Sequence, residues 1–115
     1  MSWILTVRDK FQAAHFLKEY KGKCEKVHGH TFLVEVQIEV KSLDRTGIGI
    51  DFTVLKEKLH EVLPDHTLLN DIFEFNPSAE NLSHHFFQEL KKHFPVRSVT
   101  VWESTDASAT YSEDH

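Results

Sequence analysis

The strongest constraint on the fold is the alternation across residues 28–40. His28, His30, Phe32, Val34, Val36, Ile38 and Val40 fall on one parity, and Gly29, Thr31, Leu33, Glu35, Gln37 and Glu39 on the other. A period of two belongs to a β-strand with one face in the core, because successive side chains leave opposite faces of a sheet. The apolar stripe starts with two imidazoles, and both project to the same side. Residues 5–15 repeat the pattern: Leu5, Val7, Phe11, Ala13 and His15 share a parity interrupted by Asp9. This predicts a second half-buried strand that ends on an inward-facing His15.

The segment Ser42-Leu43-Asp44-Arg45-Thr46-Gly47 reads as a turn, after which Ile48 to Phe52 extends or pairs with the long strand. Asp51 is placed to cap a helix starting near Phe52 or Thr53. Val54, Leu55, Leu59, Val62 and Leu63 form its apolar side, and Pro64 stops it. Residues 65–77 read as a loop. Ser78 caps a second helix with a stripe of Leu82, Phe86, Leu90 and Phe94, ended by Pro95. Val96 to Glu103 forms a third strand with Val99, Val101 and Glu103 on one parity, and Ala109 to Ser112 a short fourth. This order predicts one α+β domain over residues 1–115, an antiparallel four-stranded sheet with two helices on one face. The other sheet face then needs cover that so small a domain does not supply, which predicts oligomerisation.

Composition narrows the functional classes. The formal charge is −5, and basic residues are scattered apart from Lys18, Lys21, Lys23 and Lys26. This argues against nucleic acid as a partner while allowing a small anion. No apolar run approaches the roughly 20 residues of a membrane helix, and residues 2–7 are too few for a secretory signal. The expected location is therefore the cytoplasm. A lone cysteine, Cys24, excludes an internal disulfide. There is no His-Glu-x-x-His, no Pro-Cys-x-x-Cys and no glycine-rich phosphate loop.

Nine histidines are present, and three share a face. His15, His28 and His30 come from neighbouring strands at matching parity. Three neutral imidazoles fill three corners of a tetrahedron and leave the fourth to water or substrate, as in a catalytic zinc site. Two other readings stay open: three unrelated histidines, or a closed structural zinc with Cys24 as fourth ligand. Cys24 sits in a lysine-rich loop. There it is either idle or, with its thiol lowered from the usual ~8.5, a base for a carbon-bound proton. Glu103 is either solvated at a strand end or paired in two-pronged fashion with a flat ligand carrying adjacent N–H donors. Asp65-His66 is either a cap beside a surface histidine or a proton relay.

The string Cys24-Glu25-Lys26-Val27-His28-Gly29-His30 resembles the signature of the 6-pyruvoyltetrahydropterin and 6-carboxytetrahydropterin synthase family. So do Phe11-Gln12-Ala13-Ala14-His15, Asp44-Arg45-Thr46-Gly47, Ile50-Asp51-Phe52, Asp65-His66 with Leu69-Asn70, Asn76 to Leu82, and Trp102-Glu103-Ser104 through Tyr111. The resemblance runs nearly end to end. It implies a tunnelling fold (T-fold) joined into a barrel, usually a homohexamer of two trimers with sites between subunits. It implies zinc on His15, His28 and His30, and Cys24 as proton acceptor. Asp65, His66 and Glu103 would form a relay that a neighbouring chain can supply in part. Glu103, Ser104 and Thr105 would hold the pterin. The Cys-x3-His-Gly-His spacing is similar to the carboxy-forming branch, which takes 7,8-dihydroneopterin triphosphate to 6-carboxy-5,6,7,8-tetrahydropterin for queuosine synthesis. The pyruvoyl branch, of the tetrahydrobiopterin pathway, is the alternative, and a noncatalytic domain with structural zinc the alternative of another class. Two departures bear on the product: Pro64 stands where the family commonly has Leu, and Thr67 where the carboxy branch often has a second His.

Overall fold

Two 13-residue strands set the frame. β1 (Trp3–His15) and β2 (His28–Val40) pair antiparallel without interruption from Trp3↔Val40 to His15↔His28. The computed structural model describes residues 1–21 and 25–113; Cys24 lies outside them. Parity works as the sequence predicts. Val7, Phe11, Ala13 and His15 of β1 are buried, as are Phe32, Val34, Val36, Ile38 and Val40 of β2. Each large apolar side chain so removed from water contributes about 1.5–3 kcal/mol.

The sheet has five strands, not four, in the order β3-β1-β2-β4-β5. The additional strand is β3 (Thr67–Leu68), which runs parallel to β1 beside Ala13 and Ala14. It lies in the stretch expected to be a loop, as does a third, four-residue helix, α2 (Leu69–Ile72). Both are too short to show a period. β4 (Val96–Ser104) pairs with β2, and β5 (Ala107–Ser112) with β4. Among the described residues, 48–52 neither extend nor pair with β2, which ends at Val40. Instead Asp44 Oδ1 accepts from the Thr46 and Ile48 N–H groups and from the Thr46 hydroxyl, and Gly47 takes the left-handed φ of 85° that closes the turn.

α1 (Phe52–Val62) starts where expected, with Asp51 accepting from the Thr53 N–H at 2.9 Å. Such a cap is worth about 1 kcal/mol. α3 (Ala79–Leu90) is capped by Ser78, whose Oγ accepts from the Asn81 N–H. Leu55 and Leu59 of α1 join Leu82, Phe86, Phe87 and Leu90 of α3 in one core with the inward residues of the sheet. Phe11 stacks on Phe32 at 4.9 Å between ring centroids and meets Phe86 edge-on at 5.9 Å.

The opposite sheet face, which the sequence reading leaves in need of cover, holds Leu33 beside Trp102, both partly exposed. It carries cross-strand polar pairs: Arg8 Nε–Glu35 Oε1 at 2.7 Å, Arg97–Glu39 at 3.4 Å, and a Thr100–Thr110 hydroxyl bond at 2.7 Å. Opposite charges across paired strands stabilise such a face in water. Among the described residues no helix is long and apolar enough to cross a membrane.

Candidate metal centre

The histidines meet where β1 ends and β2 begins. Because His15 pairs directly with His28, with His30 two residues further along the same face, the strand register brings the three rings together, edge to face. Their centroids lie 4.7 Å (His15–His28), 5.2 Å (His15–His30) and 4.8 Å (His28–His30) apart. Phe32 backs them, edge-on to His15 at 5.3 Å and to His30 at 5.5 Å. His15 is fully buried.

Backbone carbonyls fix two of the tautomers. His15 Nδ1 lies 2.8 Å from the Pro77 carbonyl, and His28 Nδ1 lies 2.9 Å from that of Lys26. A carbonyl only accepts, so each Nδ1 carries the proton and each Nε2 presents a lone pair. This outer arrangement is that of a metal-binding imidazole. Burial lowers the pKa of His30; the Glu103 carboxylate opposes this, and the His15 and His28 rings add to it. The neutral, ligating form is thereby favoured.

Glu103 completes the group. Its Oε1 lies 3.3 Å from His15 Nε2 and 3.1 Å from His30 Nε2. Neither contact has the alignment of a hydrogen bond, and both nitrogens are buried without a hydrogen-bond partner. Unpaired buried acceptors are costly, and a cation between them removes that cost. Ligand atoms of His15, His28, His30 and Glu103 all lie within 4.8 Å of one another, a group able to hold a metal ion. Donors of this kind suit zinc at distances near 2.0–2.2 Å.

The inward parity of Glu103 is as predicted, but a bulge assists it. Trp102 pairs with Ser108 and Ser104 with Ala107, so Glu103 is the extra residue of β4. Bulges re-aim side chains next to sites of this kind. Sequence reading leaves Glu103 either solvated or against a flat ligand and misses its closeness to the imidazoles, because a bulge has no mark in the alternation. The Pro77 and Lys26 carbonyls are likewise invisible, since any residue supplies one. Ser104 and Thr105 line a recess of about 810 Å³ with Trp102, Glu103, His30 and Lys10.

Asp65 and His66 stand apart from the cluster. They sit at the entry to β3, on the edge of β1 away from β2. Gln12 donates its N–H to Asp65 Oδ1 at 2.8 Å and accepts the His66 N–H at 2.6 Å. These bonds hold His66 at a left-handed φ of 56°, a conformation that costs a non-glycine residue about 1–2 kcal/mol. Asp65 Oδ2 lies 2.9 Å from His66 Nδ1. The Gln12 amide, and secondarily the His66 ring, hold the Asp65 carboxyl below its usual range. The His66 side chain is 77% exposed, and it shares only a shallow recess with His30.

The model of a family described as 6-pyruvoyl tetrahydropterin synthase matches residues 4–114. A putative 6-carboxy-5,6,7,8-tetrahydropterin synthase of Archaeoglobus fulgidus is 43% identical over 106 residues, covering 90% of each chain. The 6-carboxy-5,6,7,8-tetrahydropterin synthase of Synechocystis is 34% identical, covering 95% of this chain and 92% of its own. A dihydroneopterin monophosphate aldolase of Pyrococcus furiosus is 32% identical, covering 86% and 88%. In fold, the chain superposes on the 6-pyruvoyl tetrahydropterin synthase of Caenorhabditis elegans with a TM-score of 0.84 at 22% identity, covering 99% of this chain and 97% of that one. The T-fold is thus the observed architecture. The matched span takes in both histidine-bearing strands, both long helices and the strand of Glu103, and the chain belongs to the 6-pyruvoyl tetrahydropterin synthase family.

Proposed function

We propose that this chain is a zinc-dependent lyase that converts 7,8-dihydroneopterin triphosphate and water to 6-carboxy-5,6,7,8-tetrahydropterin, releasing triphosphate and acetaldehyde, in the queuosine and 7-deazaguanine pathway of the cytoplasm. The observation that carries the reading is the gathering of one ligand atom each from His15, His28, His30 and Glu103 within 4.8 Å of one another. The names of the A. fulgidus and Synechocystis relatives favour the carboxy product.

His15, His28 and His30 hold the metal. When bound, zinc supplies a Lewis acid that polarises the hydroxyl-bearing side chain of the substrate. Cys24, as thiolate, takes a proton from a side-chain carbon. Asp65 orients the His66 ring through Nδ1 and leaves Nε2 to carry protons. Glu103 is one-third exposed. In this reading its carboxylate turns from the imidazoles to accept the adjacent N–H donors of the pterin, with Ser104 and Thr105 on the same wall. The dyad sits at the β3 edge of the sheet and the metal group on the ends of β1, β2 and β4, and the reading takes the relay from a neighbouring copy in a homohexamer of two trimers.

Product analysis tests this. Purified, zinc-loaded protein given 7,8-dihydroneopterin triphosphate should yield acetaldehyde and the carboxypterin in equal amounts. A pyruvoylpterin without acetaldehyde would place the chain on the other branch. Turnover of dihydroneopterin monophosphate instead would align it with the aldolase relative. Tight zinc with no pterin turnover would leave a structural site.

A further inference from the structure

Past His15 the chain leaves β1 and enters a turn at Lys18. Residues 16–18 are held by single residues that each take both backbone groups. Phe16 donates its N–H to Asn70 Oδ1 and accepts from Asn70 Nδ2, both at 3.0 Å. Lys18 does the same with Asn76, at 2.8 Å and 3.2 Å. Leu17 faces the other way, donating to Glu25 Oε1 at 3.0 Å and accepting the Glu25 N–H at 2.9 Å. Alternation of partners from side to side is that of a strand inside a sheet; here two carboxamides and one carboxylate do the pairing. The carboxamides are themselves fixed. Asn70 belongs to α2. The Asn76 carbonyl accepts from Asn81 Nδ2 and the Ser78 N–H at the start of α3. Pro77, the next residue, supplies the carbonyl that orients the His15 ring.

We propose that Asn70, Asn76 and Glu25 are positioning residues for the metal group: they lock the chain just after His15 and just before His28 and so hold the three imidazoles ready for the ion. The proposal rests on the metal reading above. Asn70 and Asn76 tie the exit of β1 to the segment whose Pro77 carbonyl sets His15. Glu25 ties the same exit to the approach to β2, three residues before His28. A ligand set locked in this way loses little order on binding, and loosening it weakens binding without removing a ligand.

The test compares Asn70→Ala, Asn76→Ala, Glu25→Ala and Glu25→Gln with the parent, using Co²⁺ in competition with a chelator, the Co²⁺ absorption spectrum, and thermal unfolding without metal. Both asparagine variants and Glu25→Ala should bind Co²⁺ roughly ten- to hundredfold more weakly, the usual cost of losing an outer-shell partner, with a shifted visible band. Glu25→Gln keeps the acceptor for the Leu17 N–H and should bind like the parent. Asn76→Asp keeps one of two bonds and should fall between, which serves if an alanine variant does not fold. Unchanged affinity and spectrum in the folded variants would overturn the proposal, even where their metal-free melting temperatures fall. A parent protein that takes up no Co²⁺ would instead remove the metal reading itself.

Discussion

The three-histidine cluster and the Asp65–His66 dyad are both imidazole chemistry beside β1, yet they are built in opposite ways. The cluster is inside: His15 is fully buried, its ring set by a carbonyl and backed by Phe32. The dyad is outside, with His66 77% exposed at a strained backbone position held by Gln12. Residues facing a common ion must converge within one rigid frame. The contrast teaches that the chain gathers the candidate metal ligands within its own frame and leaves the dyad ring exposed, and each part of that contrast can be tried separately.

Removing a ligand should have the largest effect. His30→Ala is expected to lose its zinc on dialysis and all turnover, as read by metal analysis and product assay. Full zinc retention would deny the cluster its role. Cys24→Ala comes next, with zinc retained and turnover down by about 10²–10⁴, the usual contribution of a proton-transferring group. Zinc loss in that variant would instead make the thiol a ligand. His66→Ala should keep zinc and lose about 10²-fold in turnover. Mixing it with His30→Ala protein after dissociation and reassembly should recover part of the lost activity, because one intact site arises wherever the two parents meet. Absence of recovery in mixed oligomers would return the dyad to its own chain.

The smallest effect concerns pH. Burial lowers the pKa of both His30 and His85, so each binds fewer protons folded than unfolded near its ordinary value of about 6.5. Stability of the metal-free protein should therefore be complete above that pH and decline as pH falls below it. Chemical denaturation at pH 7.5 and 5.5 reads the difference. His30→Ala and His85→Ala should each flatten it; a slope unaltered by either would assign the pH response to other groups.

The long strands and the two capped helices are legible in the chain because they repeat. Thirteen residues of alternation, or a stripe at spacing four after Asp51 or Ser78, over-determine the element. β3 and α2 are not legible, since two and four residues hold no period; they exist because the β1 edge offers partners. Val54 shows the same limit. It belongs to the expected apolar side of α1 but is half exposed, because the sheet covers only the strip around Leu55 and Leu59.

For the site, sequence alone determined that His15, His28 and His30 share a face, since side-chain parity on a strand follows from local backbone geometry. Tertiary structure decided what surrounds them. The bulge that swings in Glu103 and the Lys26 carbonyl are local but leave no mark in the alternation, whereas the Pro77 carbonyl and the Asn70 and Asn76 clamps join residues far apart in the chain. Such contacts depend on where whole elements pack, and no local pattern records that.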